Sequence, residues 1–188
     1  MDIIESDRKI PTRRRVLAGI TALGASSVLG FPALARGAGE FRSFNMVNKR
    51  TGEWLKTVYW VEGSYIPEAM DAINTVMRDW RQDEKIQIDR RTIDIISAAH
   101  NLLDCQEPFE LVSGYRSPTT NAALRRKSRG VARNSYHMRG MAADLKLQTR
   151  SVQQIAAAGR ALRAGGVGKY SRSSFVHFDS GPVRDWGR

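Results

Sequence analysis

The chain has 188 residues and a formal net charge of +11, from 30 Lys and Arg against 19 Asp and Glu. That length fits one domain beside a targeting segment. The single cysteine, Cys105, excludes an intrachain disulfide framework and a cysteine-rich zinc site, and with only His100, His137 and His177 a metal site needs carboxylate help.

Residues 1–35 read as an export segment. Arg13, Arg14 and Arg15 precede an uncharged, small and apolar run from Val16 to Leu34, and Ala33-Leu34-Ala35 forms an A-x-A cleavage signature. Thr12-Arg13-Arg14-Arg15-Val16-Leu17 resembles the bacterial twin-arginine signal, which implies transport of an already folded, metal-loaded protein. Retention as an uncut membrane anchor is the other reading, weakened by Gly19, Gly24, Gly30 and Pro32. Cleavage after Ala35 leaves residues 36–188 as a single periplasmic domain with no stable membrane span. A basic domain usually suggests nucleic acid. Outside the cytoplasm the available polyanions are wall, lipid headgroups and lipopolysaccharide, so the charge points to an anionic envelope and not to nucleic acid.

Phe41 to Asn48 and Glu53 to Val61 are rich in aromatic and β-branched residues and flank the turn Asn48-Lys49-Arg50-Thr51-Gly52, which predicts a hairpin. Pro67 opens a helix whose Met70, Ile73, Val76, Met77 and Trp80 recur at helical spacing as core. A second helix follows Asp89, with Ile93, Ile96, Ala99, Leu102 and Leu103 buried, His100 packed beside that face and Cys105 in the core. Phe109 to Ser113 reads as a strand, Thr120 to Lys127 as a short helix, Arg129 to Met141 as a loop and Ala142 to Leu147 as a strand. Ser151 caps a helix through Leu162 that Gly165-Gly166 stops, and Ser174 to Asp179 is the last strand. Helices and strands do not alternate strictly, so the class is α+β.

His137, Asp144 and His177 are the candidate metal ligands. Gly140 and small neighbours let the loop carrying His137 turn back on the strand carrying Asp144. His177 joins them if its strand lies beside that one. Two imidazoles and one carboxylate make a three-ligand site with an open fourth position, as in catalytic zinc sites. A salt-bridge role for Asp144 is the bland alternative.

Ser135-Tyr136-His137-Met138-Arg139-Gly140-Met141-Ala142-Ala143-Asp144 matches S-x-H-x-x-G-x-A-x-D. That pattern resembles the zinc D-Ala-D-Ala carboxypeptidases and their lysostaphin and hedgehog relatives, the LAS metallopeptidases. Ser113 to Asn121 (S-G-Y-R-S-P-x-T-N) and Val176 to Trp186 (V-H-F-D-x-G-x-x-R-x-W) are similar to the YcbK-like murein endopeptidase branch. The resemblance covers about Leu111 to Trp186. It implies a hedgehog/D-Ala-D-Ala-peptidase-like fold with a small antiparallel sheet and flanking helices. It also implies Zn2+ on His137, Asp144 and His177, and a substrate-facing Arg116 that steadies an oxyanion or clamps a carboxylate. Ser135, Tyr136 and Asn121 are expected to line the groove. Many relatives carry a Glu three residues, or a His two residues, before the last ligand. Here those positions are Ser174 and Phe175, which cannot act as bases. Asp179 shares a strand face with His177 and either takes the proton or orients a ligand.

The function these readings imply is hydrolysis of peptide cross-links in peptidoglycan by a zinc peptidase, endo- or carboxypeptidase, acting on stem peptides. The second reading is a metal-containing wall-binding protein of the same fold without turnover.

Overall fold

A computed structural model describes residues 41–187, so the export segment expected over residues 1–35 lies outside the described residues. The hairpin forms as expected, β1 (Phe41–Asn48) pairing antiparallel with β2 (Glu53–Val61), and a short β3 (Ser64–Tyr65) folds back on β2. Then come α1 (Pro67–Val76), α2 (Arg90–Leu102), β4 (Phe109–Ser113), α3 (Pro118–Lys127) and a 3-10 turn at Tyr136–Arg139. The chain closes with β5 (Ala142–Lys146), α4 (Val152–Leu162), β6 (Gly166–Tyr170), β7 (Phe175–Asp179) and β8 (Arg184–Gly187).

All eight strands join one sheet in the order β3-β2-β1-β4-β5-β7-β6-β8. The class is α+β, as expected, but the sheet is larger than the small antiparallel one anticipated, and β1–β4 and β6–β8 pair in parallel. Three strands went unread in the sequence, the first being the two-residue β3. β6 (Gly-Val-Gly-Lys-Tyr) begins in the glycines read as a helix stop, and β8 carries only four residues.

Helices α1, α2 and α4 cover one face of the sheet. Strand alternation sends Phe44, Met46, Tyr59, Phe109, Leu145, Val176 and Phe178 to that face, where they meet Ile73, Ile93, Ile96 and Ile155 from the helices. Full burial of each such side chain contributes about 1.5–3 kcal/mol. The opposite residues of the same strands, among them Asp144, His177 and Trp54, face away from the helices. The core thus holds a rigid sheet whose other face is free to carry chemistry.

Caps set several boundaries. Ser151 accepts the Gln154 N–H at 3.2 Å while Gln154 Oε1 accepts the Ser151 N–H at 2.8 Å, a reciprocal box that starts α4. α3 begins two residues earlier than expected because Ser117 caps it, accepting the Thr120 N–H at 3.1 Å, with Pro118 in its first turn. α1 ends at Val76, earlier than the Met/Trp periodicity suggests. Trp80 is therefore not core: it lies at the surface with the Arg81 guanidinium 4.3 Å from its ring. Asp79 points inward instead, accepting the Ser117 N–H at 2.9 Å and the Arg81 N–H at 3.1 Å. His100 packs on Phe109 with Nε2 2.7 Å from the Glu107 carbonyl, and Cys105 is half-buried beside the core, its thiol pushed up by burial.

Burial raises the carboxyl pKa of Asp79, but hydrogen bonds from the Ser117 and Arg81 N–H groups, with the Thr120 hydroxyl nearby, outweigh it and hold the group below its ordinary value. A depressed folded pKa gives stabilisation that is complete above the unfolded pKa, about 3.9, and lost as pH falls through the folded one. Urea denaturation should show Asp79→Asn costing about 1–3 kcal/mol at pH 7, with the deficit narrowing below pH 4 as the wild-type carboxylate protonates.

Candidate metal centre and cleft

β5 and β7 are antiparallel neighbours with Asp144 directly opposite His177, so both side chains leave the same face of the sheet. His137 arrives from the 3-10 turn, which Ser135 caps by accepting the His137 N–H at 3.3 Å and which Gly140 ends at φ 66°. The left-handed backbone there suits glycine, and a Cβ at 140 would lie 2.8 Å from the Gln87 carbonyl oxygen. One imidazole nitrogen of each histidine and one carboxylate oxygen of Asp144 all lie within 4.8 Å of one another.

The outward nitrogen of each ring fixes the inward one. His137 Nδ1 lies 2.7 Å from the Gly114 carbonyl oxygen, which can only accept, so Nδ1 carries the proton and Nε2 presents a lone pair. His177 Nε2 lies 3.0 Å from Asp179 Oδ2, which leaves its Nδ1 facing inward. These two inward nitrogens are 3.2 Å apart, and they lie 3.3 Å and 2.8 Å from Asp144 Oδ1. Burial lowers the His137 pKa. For His177 burial is outweighed by hydrogen bonds to Asp144 and Asp179, which raise it. Burial likewise fails to lift Asp144, held well below the carboxylate range by His137 and His177. Two imidazole nitrogens and a carboxylate oxygen thus face one small buried space. A divalent cation bound to all three fits this donor set, and burial makes the site costly without a positive charge.

Supporting groups surround the cluster. Arg116 Nη2 donates to Asp144 Oδ2, and its Nε donates to Ser113 Oγ at 2.7 Å. Ser113 reaches this face because the β4–β5 register shifts between Leu111 and Ser113, a β-bulge that places Ser113 opposite Asp144. Gly114 is pressed against the backbone after α1: a Cβ there would lie 2.3 Å from the Met77 carbonyl oxygen. Asp179 is fully buried behind the His177 ring. Its Oδ2 receives Arg184 Nη2 at 2.7 Å, and its Oδ1 accepts the Gly181 N–H at 2.9 Å and Arg184 Nη1 at 3.0 Å. Burial opposes its ionisation, but hydrogen bonds from His177 and Arg184 hold its pKa at about 2. A carboxylate so enclosed cannot reach water in the cleft, so the proton-accepting role considered for Asp179 is set aside.

The cluster opens into a cleft of about 760 Å³. Ser135 and Tyr136 line it, as expected from the sequence. Asn121 does not: it is buried behind the wall, where its Nδ2 donates to the Ala132 carbonyl at 3.2 Å and ties α3 to the loop that forms the rim. Tyr170, Arg172, Phe175, Arg184 and Trp186 also line the cleft and were not singled out as site residues in the sequence. For Arg184 and Trp186 the signal was the pair Gly166 and Gly168. A Cβ at 168 would lie 2.6 Å from the Trp186 ring, and one at 166 would lie 2.4 Å from Arg184 Nη1. Glycine on β6 lets β8 side chains lean across that strand to β7. Among the described residues lining the cleft, Asp144 is the only carboxylate. Phe175 stacks on Tyr170 with ring centres 4.5 Å apart.

Comparison with known proteins agrees with this geometry. The family model described as peptidoglycan L,D-endopeptidase MepK, of the M15 peptidases, matches residues 36–186. The chain is similar to peptidoglycan L,D-endopeptidase MepK of Escherichia coli strain K12, at 40% identity over 182 residues, 96% of this chain and 100% of the relative. The same figures hold for MepK of Shigella flexneri. A probable peptidoglycan L,D-endopeptidase MepK of Haemophilus influenzae is 36% identical over 140 residues, 74% of this chain and 75% of that relative. A match over most of the chain, together with a His-Asp-His cluster at the floor of a cleft, places this protein in the MepK family of M15 peptidases.

Proposed function

We propose that this chain is an exported zinc peptidase that hydrolyses peptide cross-links of peptidoglycan, of the L,D type named for its relatives. The observation that carries the reading is the convergence of His137 Nε2, His177 Nδ1 and Asp144 Oδ1 at the floor of an open cleft. Zinc fits the donor set. Bonds of about 2.0–2.1 Å in a tetrahedron put neighbouring donors about 3.3 Å apart, close to the separations of 2.8, 3.2 and 3.3 Å found here. Zinc held there would polarise the scissile carbonyl and bring the pKa of a water to about 7.

The chain's own groups do the rest. Arg116 holds Asp144 in place and, at the cleft wall, offers its remaining N–H groups to the negative charge that develops on the carbonyl oxygen. Asp179, anchored by Arg184, holds the His177 ring so that Nδ1 faces inward. Of the three guanidinium groups at the cleft, Arg116 and Arg184 are engaged by Asp144 and Asp179. Arg172 is exposed at the rim and suits a free carboxylate of the stem peptide. Export by the twin-arginine route, carried by Thr12 to Leu17 and Ala33 to Ala35, would deliver the protein to the periplasm and its anionic wall.

Purified protein incubated with isolated sacculi should release muropeptides, and a chelator should abolish release. Binding without release by metal-loaded protein would favour the non-catalytic reading instead. His177→Ala should lose stoichiometric metal, and Asp179→Ala should weaken metal affinity about 10–100-fold. Arg116→Ala should cut kcat by about 10²–10³ while keeping its metal at saturating zinc. Arg172→Ala should raise KM and leave kcat near wild type.

A further inference from the structure

Trp54 is the most exposed large hydrophobic side chain among the described residues, at 65% exposure, yet it is held in place. Its Nε1–H donates to Asn45 Oδ1 at 3.1 Å, and Asn45 Nδ2 in turn donates to the Gln106 carbonyl at 3.1 Å. Trp54 lies opposite Val47 on β1, and Asn45 is the diagonal neighbour on the same face. The indole is thus tied by its edge across β1, with most of its surface open. A tryptophan fixed this way offers a flat apolar surface at little further cost in side-chain entropy.

This surface belongs to the same sheet face as the metal cluster. Lys146, Glu110, Val47 and Trp54 form one cross-strand row, and Asp144 is two residues from Lys146 on β5. Three strand spacings of about 4.8 Å and two residues of about 3.4 Å put Trp54 about 16 Å from Asp144. An extended peptide of four to five residues covers that distance at about 3.3–3.6 Å per residue. In peptidoglycan a short peptide stem of this scale joins a cross-link to the sugar strand that carries it. Lys146 beside Asp144 places an ammonium group along the way, matched to a carboxylate of such a stem, while Lys56 flanks Trp54 on the side away from the cleft. Glu110, also in the row, is already engaged by Lys49 at 2.7 Å.

Resting on the peptidase reading, we propose that Trp54 is a sugar-stacking platform that receives the glycan strand of peptidoglycan, so that the stem peptide runs across β1 and β4 into the cleft. The indole face would take the C–H face of a pyranose ring. Trp54 is a positioning and specificity residue, remote from the reacting atoms.

The test compares two substrates, disaccharide-linked cross-linked muropeptides and the same cross-linked peptides stripped of sugar. Trp54→Ala should lower kcat/KM about tenfold on the first and leave it unchanged on the second. Trp54→Phe should recover part of the loss, and peptide-free glycan chains should inhibit the wild type but not Trp54→Ala. An equal fall on both substrates would mean that Trp54 acts through the fold. No fall on either would mean that the platform is unused or that its occupant is residues 36–40 of this chain or another protein. Each of these overturns the proposal. If the wild type cleaves neither substrate, the peptidase reading fails by itself. Co-sedimentation of chelated protein with peptide-free glycan then decides the platform: weaker binding by Trp54→Ala supports it, and equal binding overturns it.

Discussion

Three electron-rich atoms held a few ångströms apart inside a protein repel one another and have lost most of their hydration. Such an arrangement is steadied by a positive charge shared among them, a proton on an imidazole or a cation, and by surroundings that prevent the side chains from turning away. His137, Asp144 and His177 are restrained in this way. A carbonyl holds one imidazole from behind, a buried aspartate holds the other, and a guanidinium holds the carboxylate. These restraints reach outward in turn, to Gly114 packed against the end of α1, to Arg184 leaning across Gly166, and to Ser113 turned by the bulge. Much of the molecule's irregularity serves that one point.

The division of labour between the two sheet faces follows from it. One face buries aliphatic and aromatic side chains under three helices and supplies the free energy of folding. The other is spared a covering layer, so it can present a cleft and, further along, a broad strip of strand surface. Parallel pairing of β1 with β4 and of β6 with β8 extends the sheet on both sides of the strands that carry Asp144 and His177, which lie near its middle. Ligands rooted in interior strands are better fixed than ligands on loops.

Legibility in the sequence tracked how local each feature is. The hairpin, α2 (apart from Leu102, which is exposed and not buried as read), β4 and the residues of the His-Asp-His cluster were readable because periodicity of two or 3.6, turn residues and a dense motif are local signals. β6 escaped because a strand with glycine at alternate positions has no polar–apolar rhythm. Those glycines are explained only by Trp186 and Arg184, which arrive from a strand that follows later in the chain. Trp80 misled because its helical spacing continued past the residue where Asp79 turns inward to hold Ser117. Asn121 sat inside a site motif yet braces a loop. Membership of a motif marks a residue as needed without saying whether it touches substrate.

The bulge in β4 separates two properties that are usually thought of together. The same strand paired without the bulge would keep its apolar side chains against the helices up to Leu111 and still pair with β5, but with Val112 opposite Asp144. Ser113 and the turn after it would be rephased, and Arg116 would be carried off the carboxylate it steadies. Sequence drift at a single strand position can therefore yield a protein that is soluble, folded and chemically silent. A homologue with all three ligands but an unkinked fourth strand would be such a case, its catalytic motif complete on paper and idle in the molecule.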